Sequence, residues 1–113
     1  MKTVAGIDLG TQSMKVVIYD YEKKEIIEKA SCPMELISKA DGTREQKAEW
    51  FDNGLDVCFG KLSAANKKTI EAIGVSGQQH GFVPLGADGK ALYNIKLWCD
   101  TATTAQCAEI TKK

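Results

Sequence analysis

Residues 6–13 read Gly-Ile-Asp-Leu-Gly-Thr-Gln-Ser, and what flanks them decides the fold. Residues 3–9 are rich in apolar and β-branched side chains and run into the polar glycine cluster Asp8, Gly10 and Thr11. Residues 14–19 (Met-Lys-Val-Val-Ile-Tyr) form a second such run, closed by Asp20. A charged turn over 21–24 precedes a third, from Ile26 to about Cys32, where Pro33 ends it because proline cannot donate to a ladder. Strands so close in sequence are predicted to pair antiparallel, since parallel neighbours need a long crossover.

Working outward, residues 38–46 are polar and carry the turn signal Asp41-Gly42, which reads as a surface loop. From Ala48 the period becomes helical: Phe51, Leu55, Cys58, Phe59 and Leu62 fall on one face, with Asn66 as the expected end. Gly54 and Gly60 each weaken that helix by about 1 kcal/mol relative to alanine, so packing must hold it. Residues 69–76 read as a fourth, buried strand leading into Gly77-Gln78-Gln79-His80-Gly81. Segments 82–85 and 91–93, joined through Ala87-Asp88-Gly89-Lys90, are predicted to form a hairpin. Leu97-Trp98-Cys99-Asp100 then enters a helix over 101–111 with Asp100 as its N-cap. Three antiparallel strands, a helix and a further strand are the opening of an RNase-H-like α/β domain, left incomplete at Lys113.

Composition narrows the function. Lysine plus arginine and aspartate plus glutamate number 15 each, so the net charge is zero and no positive excess exists to bind nucleic acid or an anionic membrane. Residues 1–10 lack the roughly 7–15 consecutive apolar residues of a secretory signal. No run approaches the roughly 20 residues that span a bilayer. Cys32, Cys58, Cys99 and Cys107 are widely spaced without a C-x-x-C, which favours free thiols in a reducing, cytoplasmic setting.

Residues 6–13 are also the sharpest chemical signal. A carboxylate at a strand end, a glycine and two hydroxyl residues in a tight turn suit a phosphate: Gly10 admits close backbone approach, and Thr11 and Ser13 can donate to its oxygens. Asp8 can hold Mg²⁺ through water, because that ion dehydrates reluctantly. The segment is neither a P-loop nor a G-x-G-x-x-G. It reads equally as a polar hairpin turn whose Asp and Thr satisfy their own backbone.

Strand, D-L-G-T-x-S, strand resembles the first phosphate motif of the actin-like ATPases, and within them the chain resembles the FGGY carbohydrate kinases, the D-xylulose kinases most closely. Four stretches carry the resemblance in order: residues 6–15 (GIDLGTQSMK), Arg44-Glu45-Gln46 with Glu49-Trp50, residues 73–81 (IGVSGQQHG) and residues 97–101 (LWCDT). It spans residues 1–113 and implies the N-terminal part of the family's first domain, in the RNase-H-like (actin-like) sugar-kinase fold. The rest of that domain and the second, adenine-binding domain would lie elsewhere.

The resemblance implies transfer of phosphate from ATP to D-xylulose. Gly10, Thr11, Gln12 and Ser13 would face the transferring phosphate, with Asp8 beside Mg²⁺. Gln78, Gln79, His80, Trp98 and Asp100 would line the sugar pocket, with Asp100 doubling as a helix cap. Gln79 stands where D-xylulose kinases commonly carry methionine. Cys99 stands where relatives often have asparagine, and no arginine follows Asp100. Trp50 and Phe51 read as core, Lys15 as a solvated strand lysine, and Glu45 as a surface or loop-anchoring carboxylate. The family's general base, an aspartate, would come from beyond Lys113, so the chain alone is expected to be inactive and to self-associate, as a homodimer in the simplest case, through apolar surface left uncovered. Rival readings are an FGGY kinase for L-ribulose, glycerol or another polyol, a non-enzymatic actin- or chaperone-like nucleotide-binding module, and last an RNase-H-type nuclease.

Overall fold

The computed structural model describes residues 2–113, which divide into two compact units: residues up to 35 with 49–78, and 36–48 with 79–113. In the first unit β1 (Thr3–Leu9), β2 (Ser13–Asp20) and β3 (Glu25–Pro33) form the expected antiparallel meander. After α1 (Ala48–Lys61) and α2 (Ala64–Lys67), β6 (Ile70–Gly77) joins β1 in parallel, giving the order β3-β2-β1-β6. The helices supply the crossover that a parallel pair requires.

Local chemistry sets the ends of these elements. Asp20 is 2% exposed, and its Oδ1 accepts from the backbone of Glu22 (3.0 Å) and Lys23 (2.9 Å), while Lys24 takes φ 58° to close the β2–β3 turn. Sequence reading carried one helix to Asn66, but it breaks at Lys61. Ser63, in extended backbone, starts α2: its hydroxyl accepts from Asn66 N–H, and the Glu28 carboxylate binds Ser63 N–H, Ser63 Oγ and Asn66 Nδ2. A new N-cap outcompetes continuation of the helix. These bonds, the one from Asn66 foremost, hold Glu28 below the usual carboxylate range.

The core lies between the sheet and α1. Ile7, Met14, Val16, Ile18 and Cys32 face Cys58 and Leu62, with Phe51, Leu55 and Phe59 packed around them, which is the helix face expected from spacing. Gly54 is an asset here, not the weakness its propensity suggests: a Cβ there would lie 3.1 Å from Met14 Cε and 3.4 Å from Cys32 Sγ. The strand expected to be buried, β6, is exposed along nearly its whole length, with Ile73 57% and Val75 65% exposed. Its residues pair with Ala5 and Ile7 of the core face, but it is the edge strand and α1 lies over β2 and β3.

In the second unit, residues 38–46 are not the expected loop. β4 (Ile37–Ser38) and β5 (Arg44–Gln46) pair around a turn in which Gly42 has φ 94°, and β7 (Ile95–Lys96) adds to β5. Thr43, Glu45 and Gln46 are buried, so polarity in this stretch reflects paired interior groups and not solvent. The hairpin over 82–93 is reduced to a bridge between Leu85 and Ala91, closed by Gly86 N–H on Lys90 O (2.8 Å). The last helix, α3 (Thr104–Thr111), starts three residues later than expected, after Thr103.

Met14 has no exposed surface and packs against Gly54 of α1. Met14→Ala is expected to lower the unfolding free energy by about 2–5 kcal/mol, read from the urea midpoint at constant slope. A loss well under about 1 kcal/mol would contradict this packing.

Candidate active site

The parallel pairing of β1 and β6 aligns Asp8 with Ser76 and Leu9 with Gly77, and Gln78 N–H donates to Leu9 O at 3.0 Å. Open α/β sheets bind ligands beyond the carboxyl ends of such strands. Residues 10–13 close there as a tight hairpin, Gly10 N–H donating to Ser13 O at 3.1 Å. A Cβ on Gly10 would stand 2.7 Å from Ser13 O, so the turn requires glycine. Gln12 O accepts from Met34 N–H at 2.8 Å, tying the turn to the end of β3.

Of the phosphate-site residues, Asp8 and Gln12 are exposed, while Gly10, Thr11 and Ser13 are half-buried. Thr11 Oγ1 donates to Gln78 Oε1 at 2.8 Å. Gln78, which the sequence offers equally as a sugar contact or a loop support, thus braces the 10–13 turn. Asp8 stands opposite Lys15 in the ladder, and both line a shallow recess of about 480 Å³ with Gly6, Val17, Gly74 and Ser76. Among the described residues no group of three or more His, Cys, Asp or Glu side chains is arranged to hold a metal. Asp8 fits the role of one carboxylate acting through water, since Mg²⁺ takes most of its ligands from water and phosphate.

Of the residues the resemblance assigns to the sugar pocket, Gln79, His80, Trp98 and Asp100 belong to the second unit and Gln78 to the first. Gln79 and His80 are exposed, His80 in the left-handed region at φ 64°, and Trp98 is 61% exposed at the tip of a turn closed by Asp100 N–H on Leu97 O at 3.0 Å. Asp100 does not cap α3. Its side chain is 4% exposed, with Oδ1 accepting from Ala102 N–H (2.9 Å) and Oδ2 from Arg44 N–H (3.0 Å) and Lys96 Nζ (3.4 Å). The helix begins only at Thr104, with Thr103 in the capping position three residues past Asp100.

Lys96 and Asn94 are the residues that sequence reasoning passed over. Lys96 Nζ reaches Glu45 Oε2 at 3.0 Å, and Asn94 Nδ2 reaches Glu45 Oε1 at 3.2 Å. Glu45 is therefore a buried anchor and not a surface carboxylate. The signal available was a lysine inside the apolar run Ile95-Lys96-Leu97, four residues before an aspartate. The four cysteines are free thiols; burial, with its neighbour Cys32, pushes the Cys58 thiol up to about 11 and removes it as a nucleophile.

Arg44 and Ala102 N–H groups, joined by Lys96, hold Asp100 below the ordinary aspartate range, while the bond to Glu45 raises Lys96 above the ordinary lysine range. A lowered acid stabilises the fold above its unfolded value, and that contribution disappears as pH falls through the folded value. A raised base contributes below its unfolded value and is lost as pH rises through the folded one. The amide signals of Arg44 and Ala102 are therefore expected to stay native from about pH 5 to 9 and to collapse beyond the ordinary aspartate and lysine ranges on either side. In Asp100→Asn the acid limb should flatten; an unchanged limb would assign it to other carboxylates.

Comparison with known proteins identifies the family of the chain. Residues 3–113 match the family model described as the FGGY family of carbohydrate kinases, N-terminal domain. The chain is 39% identical to the xylulose kinase of Bacillus subtilis over 116 aligned residues, covering 100% of this chain and 23% of that protein. It is 36% identical to the xylulose kinase of Haemophilus influenzae over 108, covering 89% and 22%. A crystal structure titled a xyloylose kinase from Brucella ovis superposes with a TM-score of 0.85 at 29% identity, covering 96% of this chain and 23% of that one. The chain spans less than a quarter of these relatives' length. Matched by that model from residue 3 to residue 113, the chain belongs to the FGGY family of carbohydrate kinases.

Proposed function

We propose that this chain is the phosphate-turn and sugar-loop part of an ATP-dependent kinase that converts D-xylulose to D-xylulose 5-phosphate in the cytoplasm. The observation that carries the reading is the Thr11–Gln78 hydrogen bond, which fixes a D-L-G-T turn against the segment that leads into Gln79-His80-Gly81. Identity to xylulose kinases over 89% and 100% of the chain supports the choice of sugar.

Phosphoryl transfer depends mainly on positioning and charge neutralisation. In this reading Gly10 lets the γ-phosphate approach the backbone, Gln12 and Ser13 offer donors toward it, Thr11 holds the turn in place through Gln78, and Asp8 would hold Mg²⁺ through water. The metal supplies charge neutralisation of the phosphates when bound. Gln79 and His80 meet the pentulose hydroxyls, His80 able to give one hydrogen bond and take another, and Trp98 forms an apolar wall. Asp100 stands behind that wall, its oxygens turned to Arg44, Ala102 and Lys96. The general base and the adenine site come from the kinase's other elements. Exposed Ile73 and Val75 on edge strand β6 are where the rest of the first domain, or in its absence a second copy, would pack.

The test is a chimera in which this chain replaces the matching N-terminal 23% of the Bacillus subtilis xylulose kinase. ADP formation is expected to depend on D-xylulose and to exceed that with L-ribulose or glycerol, while the 113-residue chain alone forms none. Gly10→Ala in the chimera should cut kcat about a hundredfold, the scale of an ångström's misplacement. A chimera that folds but is not stimulated by any pentulose would refute the reading; preference for glycerol would reassign the substrate.

A further inference from the structure

Lys96 occupies a junction. Its backbone N–H donates to Phe82 O at 3.0 Å and its carbonyl accepts from Phe82 N–H at 2.8 Å, so the segment two residues beyond His80 is pinned to it. Its ammonium bonds Glu45 on β5 and Asp100 at the far end of the Trp98 turn. Leu97 N–H, the next donor along, reaches Arg44 O at 3.1 Å. Three chain segments (residues 43–46, 80–82 and 97–102) therefore converge on one residue.

The energetics make this junction demanding. Both carboxylates are 4% exposed, and buried carboxylates are tolerated only when paired and fully hydrogen-bonded. Without the ammonium, two like charges would face each other with a donor fewer each. Relief would come by separating β5 from the 97–102 turn, and that movement would displace Trp98 directly and His80 through Phe82. His80 is held in a left-handed conformation that costs a non-glycine residue energy and that the surroundings must enforce. Lys96 is itself one-third exposed, so its partner set, and not its burial, fixes it.

We propose that Lys96 is a positioning residue for sugar binding: by clamping Glu45 and Asp100 while pairing with Phe82, it sets His80 and Trp98 at the spacing a pentulose requires. This rests on the kinase reading above for the identity of the ligand, and on the geometry of the second unit for the clamp itself. Lys96 touches neither the sugar nor the phosphate in this account. Its removal should weaken sugar binding and leave the ATP side intact.

In the chimera, Lys96→Met is expected to raise KM for D-xylulose about tenfold, equivalent to about 1.4 kcal/mol, with kcat and KM for ATP essentially unchanged. Lys96→Arg, which keeps the charge and both carboxylate bonds, should recover most of the loss. An unaltered sugar KM, an equal fall in kcat with KM unmoved, or Lys96→Arg no better than Lys96→Met would each overturn the proposal. Should the chimera itself be inactive, the kinase reading fails and the clamp is decided separately by NMR of the 113-residue chain, which has a single histidine. There Lys96→Met must shift the His80 imidazole and Trp98 indole resonances while leaving the Trp50 indole in place; unmoved His80 and Trp98 signals refute the clamp. If Lys96→Met does not fold, Glu45→Gln, which neutralises one carboxylate, must move the same two signals in the same direction, and their failure to move is equally decisive.

Discussion

The site at the first unit depends on one non-local pairing, the parallel ladder between β1 and β6. Hairpins β1–β2 and β2–β3 follow from neighbouring sequence and could form in many proteins. What turns an ordinary polar hairpin into a phosphate-binding candidate is the arrival of residues 76–78 beside residues 8–11. Leu9 O accepts Gln78 N–H, Gly77 lies close against Leu9, and Gln78 then takes the Thr11 hydroxyl. Closing a loop of some sixty residues costs only a few kcal/mol because the cost grows logarithmically, and α1 meets it by burying its apolar face on the same sheet.

Much of the fold was legible in the residues themselves. The meander over 3–33 has alternating or continuous β-branched stretches with a carboxylate or proline at each end, and α1 carries a clean apolar face, so local pattern and tertiary packing agree. The candidate site was half legible: Asp8 to Ser13 announce themselves by glycine and hydroxyl chemistry in a turn. The residues proposed for the sugar side stand out only through family resemblance, since a lone histidine in a loop carries little information.

The misreadings share a cause. Residues 44–46, taken for part of a loop, are a largely buried strand in which Glu45 is paired with the Lys96 ammonium and hydrogen-bonded by the Asn94 amide, about fifty residues away. Asp100, taken for a helix cap, is drawn instead to Arg44 on β5. Polarity in sequence signals solvent unless a partner is known, and these partners are distant. Gly54 behaves as its cost required, held by packing: that cost to the isolated helix is a local quantity, while its benefit is the room it leaves for Met14 and Cys32.

That last arrangement has a consequence for how the core can change. Positions 14, 32 and 54 lie on β2, β3 and α1, yet they draw on a single volume, with the glycine supplying space that methionine occupies. Close-packed interiors tolerate exchange of bulk between neighbours far better than its addition or removal. The three sizes are thus one variable and not three: a side chain gained on the helix must be matched by one lost on the sheet, or the helix lifts from the strands that carry the Gly10 turn.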